Sequence, residues 1–319
     1  MTKPKVLITR RWPAEVERYF ADHYTLTLNE DDEPLSSAEL AAALKSQDAL
    51  CTTVSDRVTA DVLECVHTKI IANYGAGFSH IDTEACRRAG IIVTNTPDVL
   101  TDSTADLTMT LILMVARRAG EGEREVRSGK WSGWRPTHMI GTQVTGKTLG
   151  IVGFGRIGRA VAYRAHRGFG MNILYHSLHR GEAAAELAAS HCPELRDLLR
   201  RSDFVSLHCP GGDANRHLIG AAMLKEMKPT AFLINTSRGE VVDEKALVAA
   251  LHSGTIAGAG LDVYEDEPRV PKALIALENV VLLPHLGSAT AETRIAMGVR
   301  VANNLDAFFA GRPPHDRVV

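Results

Sequence analysis

Aromatic residues are scarce in this chain, 5% of 319, and no apolar run is long enough to span a membrane. The longest, at about 107–116, is interrupted by Thr108 and Thr110 and ends at Arg117 and Arg118, well short of the ~20 residues a span needs. Near the start, the strand-like run at 6–9 is far too short for the core of a signal peptide. Charge of one sign is missing as well: 36 Lys and Arg stand against 38 Asp and Glu, a net charge of −2. Such a balance gives no bulk attraction to nucleic acid or an anionic membrane, and neither is expected as a partner. The five cysteines, Cys51, Cys65, Cys86, Cys192 and Cys209, show no C-x-x-C spacing. An odd, dispersed set fits the reduced thiols of a cytoplasmic protein better than a disulfide framework. No metal is expected, and there is no internal repeat or low-complexity segment.

What is present is an ordinary globular balance, 45% apolar and 23% charged, in a chain long enough for two domains. Short β-rich runs at 6–9, 26–28, 49–53, 69–72 and 91–94 alternate with helical patterns such as 37–45, where Ser36 or Ser37 offers an N-cap. Pro97 closes this block. A single long helix is expected from about 101 to 127, capped by Asp102 or Ser103 and carrying Leu107, Leu111, Met114 and Val115 on one face. A Gly/Trp/Pro-rich stretch without periodicity follows at 128–146. A second alternating block has strands at 149–153, 172–175, 204–207, 231–235, 257–261 and 280–283. A closing helix at 289–310 places Ile295, Val299, Ala302, Leu305 and Phe309 on a stripe. Strand–helix alternation of this kind builds parallel sheets. The reading is two doubly wound α/β domains, 1–99 with 289–319 and 100–288, with a cleft between them.

The stretch Gly153-Phe154-Gly155-Arg156-Ile157-Gly158 puts G-x-G-x-x-G directly after an apolar strand and at the start of a helix. Gly153 suits a tight turn, Gly155 a close approach to a pyrophosphate, and Gly158 close helix–strand packing, with phosphates over the free N–H groups of the helix start. Arg156 can add a phosphate contact, and Ile157 lies in the same turn. At the end of the next strand, an Asp or Glu would hold the ribose 2′-hydroxyl of NAD. Here the segment reads Tyr175-His176-Ser177-Leu178-His179-Arg180, and no acidic residue occurs from 159 to 181. Ser177 can donate a hydrogen bond, and Arg180 with His179 can meet a 2′-phosphate. NADP(H) is therefore the expected cofactor, with NAD(H) still possible.

Three further segments place reactive side chains just after apolar strands, where ligand crevices of open α/β sheets lie. They carry Arg238 in Asn235-Thr236-Ser237-Arg238, an acidic cluster in Asp262-Val263-Tyr264-Glu265-Asp266-Glu267-Pro268, and His285 in Pro284-His285-Leu286-Gly287. Reduction of a keto acid by hydride needs a carboxylate clamp, which a guanidinium supplies with two hydrogen bonds. It also needs an acid to protonate the developing alkoxide. A carboxylate paired with His285 would keep it protonated near neutrality.

At this point the ordered set VGFGRIG, NTSRGEVVDEKAL, GAGLDVYEDEP and LLPHLGSAT resembles the D-isomer-specific 2-hydroxyacid dehydrogenases across nearly the whole chain. The resemblance implies a Rossmann nucleotide domain, a flavodoxin-like substrate domain, and a homodimer. It makes Arg238, Glu267 and His285 the catalytic set, with Glu267 rather than Glu265 because Glu267 precedes Pro268. It assigns Asp262 to the nicotinamide carboxamide, Thr236 to the nicotinamide pocket, Cys209 and Pro210 to the adenosine, and Thr104 and Gly287 to further cofactor contacts. Tyr74, Gly75, Ala76 and Gly77 match the loop whose backbone amides hold the substrate carboxylate. Packing remains the other role for Tyr74 and Phe78. Phe78 and Ser79 depart from the usual VG or VGxD pairing and bear on substrate size.

The segments 96–101 and 131–136 are most similar to those of glyoxylate and hydroxypyruvate reductases. That likeness makes Trp134 (or Trp131) a specificity residue reaching a neighbouring subunit. The expected activity is NADPH-dependent reduction of a small 2-keto acid to a 2-hydroxy acid. Two other readings stay open: an NAD-dependent D-lactate type dehydrogenase, and a nucleotide-sensing corepressor-like protein. The latter is disfavoured by the lack of an appended tail after Val319.

Overall fold

A computed structural model describes residues 3–64, 66–178 and 186–319. The chain separates into two compact units, Met1–Leu100 with Ser288–Val319, and Thr101–Gly287.

The first unit is built on a five-stranded parallel sheet ordered β2-β1-β3-β4-β5. Its strands are β1 (Lys5–Ile8), β2 (Thr25–Leu28), β3 (Ala49–Thr52), β4 (Ile70–Asn73) and β5 (Ile92–Thr94), the flavodoxin-like order. Helices α1 (Ala14–His23), α2 (Ser37–Ser46), α3 (Thr83–Arg88) and α11 (Ala291–Phe309) belong to this unit. Strand residues alternate between two cores. Ala49, Cys51, Ile70 and Ala72 join Phe20, Val301 and Leu305 in one. Leu50 and Ile71 join Leu40, Leu44 and Val93 in the other. Burial on both faces is why the inner strands β3 and β4 read as near-continuous apolar runs, whereas the edge strand β2 alternates. Helix α2 starts on Ser36, whose side chain and that of Glu39 cap each other's backbone amides.

The second unit holds a seven-stranded parallel sheet ordered β12-β11-β10-β9-β6-β7-β8. The strands are β6 (Thr148–Val152), β7 (Asn172–His176), β8 (Ser190–His191), β9 (Phe204–Leu207), β10 (Phe232–Asn235), β11 (Gly258–Leu261) and β12 (Val280–Leu282). The order reverses direction between β6 and β9, as in the Rossmann fold. Helices α4 (Thr101–Ala116), α5 (Ala119–Arg127), α6 (Arg156–Phe169), α7 (Leu195–Arg201), α8 (Ala221–Leu224), α9 (Glu244–His252) and α10 (Lys272–Ile275) complete it. Leu149, Ile151, Phe204, Phe232 and Ile234 face the α4–α6 side. Val205, Leu207 and Leu233 face the opposite core, with Leu247 of α9.

Three expectations need correction. The long helix is broken: α4 ends at Ala116, and Arg118 takes the left-handed conformation (φ 52°) before α5 begins. Asp102 and Ser103 lie inside the first turn of α4 rather than capping it; Asp102 instead accepts a hydrogen bond from Arg164 of α6 at 2.9 Å. In α11, Val299 is 49% exposed, and the buried stripe runs through Met297, Gly298, Val301, Ala302 and Leu305. Gly298 allows this, because a Cβ there would fall 2.5 Å from Val16 of α1. The four described cysteines, Cys51, Cys86, Cys192 and Cys209, are free and buried. Among the described residues no helix is long and apolar enough to cross a membrane.

Candidate active site

Because the seven strands are parallel, every turn leaving a strand end lies along one edge of the sheet. The turn after β6 carries the glycine motif. Gly153 has φ 93°, and a Cβ there would sit 2.6 Å from the backbone of His208 and Cys209. A Cβ on Gly158 would meet the Gly153 carbonyl at 2.3 Å. Protein packing thus demands both outer glycines. Gly155 is different: it has an ordinary φ of −78°, it precedes α6 without any side-chain cap, and no protein atom lies within 4 Å of its would-be Cβ. The fold itself does not require a glycine there, whereas a diphosphate lying close against the helix start would. The residues present therefore fit a dinucleotide. Arg156 is exposed and Ile157 half-buried beside it.

Ser177 is half-buried just past β7, and its carbonyl lies 3.4 Å from His191 Nε2. His179 and Arg180 lie outside the described residues. Cys209 is buried, its thiol pushed up to about 11 by desolvation, and Pro210 is exposed. His208 donates its amide to the Val152 carbonyl and pairs its ring with the Ser206 hydroxyl at 2.8 Å. Burial drives its pKa down to about 3, so the ring is neutral.

After β10, Asn235 receives the Ser237 amide and donates to the Arg238 carbonyl, shaping the turn that presents Arg238. The guanidinium donates to the Ser237 carbonyl at 2.7 Å. Desolvation lowers its pKa, against the attraction of Glu267 and Glu240. Next to it, Gly239 lies so close to the Tyr264–Glu265 backbone that a Cβ would overlap it at 1.8 Å. This close approach brings the turns after β10 and β11 together.

After β12, His285 Nδ1 meets Glu267 Oε2 at 2.8 Å. Burial works against the Glu267 charge, but the His285 hydrogen bond and charge, the Tyr264 amide and Arg238 together hold its pKa below the ordinary carboxylate value. Glu265 points elsewhere, to Arg216 and His217 at 2.6 and 2.7 Å. The Glu267–Pro268 peptide is cis. With Nδ1 committed to Glu267, Nε2 is the ring nitrogen left to exchange a proton with a ligand.

His285 adopts φ 54°, a conformation that costs a non-glycine residue about 1 kcal/mol or more. Asp262 holds it there. The Asp262 carbonyl accepts the His285 amide at 2.9 Å, and its carboxylate accepts the amides of Leu286 and Gly287 at 2.6 and 2.8 Å. Desolvation raises the Asp262 pKa, partly opposed by those amides and by His285. Sequence reasoning missed this clamp, since an Asp after a strand carries no sign of which backbone it will hold. Thr104 donates to the Gly287 carbonyl at 3.1 Å, and Thr108 links Thr104 to the buried Thr236 hydroxyl at 2.9 Å. Thr104, Thr236, Asp262 and Gly287 are thus joined in one network.

In the first unit, the turn after β4 contains 74–77. The Tyr74 side chain is in the core, stacked on Trp12 at 4.4 Å and donating to the Arg294 carbonyl at 2.5 Å. Only its backbone can take part in a ligand contact, so the packing role holds for this side chain. Gly75, Ala76 and Gly77 are half-buried. Trp134 and Trp131, in the irregular stretch after α5, are 82% and 54% exposed.

A doubly wound α/β oxidoreductase with a dinucleotide-binding unit is the class these features define. The chain belongs to the D-isomer-specific 2-hydroxyacid dehydrogenases: residues 109–287 match the family model described as "D-isomer specific 2-hydroxyacid dehydrogenase, NAD binding domain". The glyoxylate reductase of Thermococcus litoralis is 49% identical, the match covering 99% of this chain and 97% of that protein. That of Pyrococcus furiosus is 46% identical over 98% and 95%. Among solved structures, the NADPH-dependent glyoxylate/hydroxypyruvate reductase of Sinorhizobium meliloti, in complex with NADP and malonate, superposes with a TM-score of 0.90. It is 34% identical and covered at 97%, with 100% of this chain matched.

Proposed function

We propose that this protein reduces glyoxylate and hydroxypyruvate to the corresponding 2-hydroxy acids, with NADPH preferred to NADH, in the cytoplasm. The observation that carries the reading is the Glu267–His285 pair at 2.8 Å, beside Arg238 on the sheet edge that also bears the glycine turn. The likeness to glyoxylate reductases over nearly the full chain supports the substrate class.

In this reading, residues 100–288 form the nucleotide-binding domain and the remainder the substrate-binding domain. Gly153, Gly155, Arg156, Ile157 and Gly158 hold the diphosphate; Cys209 and Pro210 flank the adenosine. Thr104, Thr236, Asp262 and Gly287 line the nicotinamide side. Ser177 donates to a 2′-phosphate, and His179 with Arg180 supplies positive charge; the lack of any acidic residue from 159 to 181 removes the repulsion that a carboxylate would exert. The reduced nicotinamide, when bound, supplies the hydride. Arg238 grips the substrate carboxylate and polarises the keto oxygen. The amides of Gly75, Ala76 and Gly77 take the same carboxylate. His285 Nε2 gives its proton to the developing alkoxide, and Glu267 keeps the ring oriented while it does. A second copy of the chain covers the exposed apolar side chains around Trp134, which reaches that copy's substrate.

His285→Ala is expected to cut kcat by about 10²–10⁴-fold while nucleotide affinity, read by titration, is kept. Arg238→Ala should raise KM, because the carboxylate grip is lost, and lower kcat as well, because the guanidinium also stabilises the charge developing on the keto oxygen in the transition state. Unchanged turnover in His285→Ala would remove that residue from the mechanism.

A further inference from the structure

In the turn after β4, three successive carbonyls are tied back to the protein. Asn73, fully buried, donates from Nδ2 to the Gly75 carbonyl at 2.9 Å and to the Gly77 carbonyl at 3.1 Å. Asn95 Nδ2 donates to the Ala76 carbonyl at 2.7 Å, and the Thr96 amide also donates to Gly75 at 3.0 Å. The amides of Gly75, Ala76 and Gly77, by contrast, have no acceptor among the described residues. A peptide plane points its N–H opposite the C=O of the preceding residue, so fixing the Gly75 and Ala76 carbonyls decides where the Ala76 and Gly77 amides point.

We propose that Asn73, helped by Asn95, is a positioning residue that sets this amide cradle for the substrate carboxylate. A primary carboxamide is suited to that role because its NH₂ group carries two donors and no charge, so it bridges two carbonyls without competing for the anion. Its orientation is fixed by His80. With Nδ2 spent on carbonyls, Oδ1 must accept from His80 Nε2, 3.0 Å away. Asn95 is itself anchored, its amide donating to the Asp316 carbonyl at 3.2 Å. The glycine at 75 belongs to the same device, since a Cβ there would press on Asn73 Nδ2 at 3.3 Å. Neither asparagine touches the substrate; each acts through the backbone it holds.

The inference rests on the reading that the 75–77 amides take the keto acid's carboxylate, so the test includes a variant that addresses the cradle itself. Steady-state kinetics with glyoxylate and NADPH would be measured for Asn73→Ala, Asn95→Ala and Ala76→Pro, the last of which deletes one cradle amide. The expected result for Asn73→Ala is a glyoxylate KM raised about tenfold or more, with kcat reduced less than threefold and the NADPH KM unchanged. Asn95→Ala, at a half-buried position, should show the same split at smaller size, and carries the test if Asn73→Ala does not fold. An unchanged glyoxylate KM in the asparagine variants, with Ala76→Pro impaired, would overturn the positioning role and leave the cradle standing. An unchanged KM in Ala76→Pro would overturn the cradle and the inference with it. A parallel loss in kcat, both KM values and thermal stability would make Asn73 a merely structural residue and likewise overturn the proposal.

Discussion

Glu265 and Glu267 stand two residues apart, and both are acidic groups after the same strand. Local geometry separates them: Glu267 meets His285, while Glu265 is spent on Arg216 and His217. Position before Pro268 is the one sequence signal that picked out Glu267, and it came through resemblance rather than chemistry. His208 is the residue whose surroundings make the sharpest solution prediction. Its folded pKa is depressed from 6.5 to about 3 by burial, so below about pH 6.5 the unfolded chain takes up a proton that the native state refuses. The stability this group contributes is fully present above the unfolded value and is lost as pH falls toward 3. Urea denaturation at about pH 7.5 and about pH 5 should show that His208→Gln loses on the order of 1 kcal/mol less than the parent protein over this interval. Equal losses in both proteins would mean that the ring is charged in the folded state.

At the scale of elements, each strand expected from the pattern lies within one residue of its predicted ends. The buried parallel strands carry strong apolar signals, whereas β8, a two-residue edge strand, carries none. The break between α4 and α5 was illegible because Arg117, Arg118 and Ala119 are good helix formers; only the left-handed Arg118 marks it. In α11 the periodicity was legible but its phase was not: Gly298, which reads as a helix defect, is where Val16 of α1 packs against the helix. Helix α5 buries none of its residues, and Val126, Trp131, Trp134 and Ile140 are exposed around it. These are the side chains that the proposed second copy would cover, since large exposed apolar patches are where interfaces form. Sedimentation should give a particle of twice 34.6 kDa, and the pair Val126→Asp with Ile140→Asp should shift it toward the single chain. A parent protein that sediments as one chain would contradict the second-copy reading of Trp134.

For the whole molecule, two parallel sheets of different order come from one chain that leaves the first unit at Leu100 and returns to it at Ser288. In the second unit, parallel topology collects at one sheet edge the site residues in the turns after β6, β9, β10, β11 and β12, while Thr104 comes from α4. Sequence spacing alone could not have measured the Glu267–His285 contact or the Asp262 clamp, since both join turns from different strands. The proposed cofactor preference, in contrast, rests on a negative feature of the sequence alone: no carboxylate follows β7 before position 182. The most direct measurement of the central claim is therefore the initial rate of NADPH and of NADH oxidation with glyoxylate, hydroxypyruvate and pyruvate in turn. Turnover of glyoxylate and hydroxypyruvate is expected, with a clear preference for NADPH. Preference for NADH would contradict the 2′-phosphate assignment, and no turnover with any pair would contradict the reductase itself.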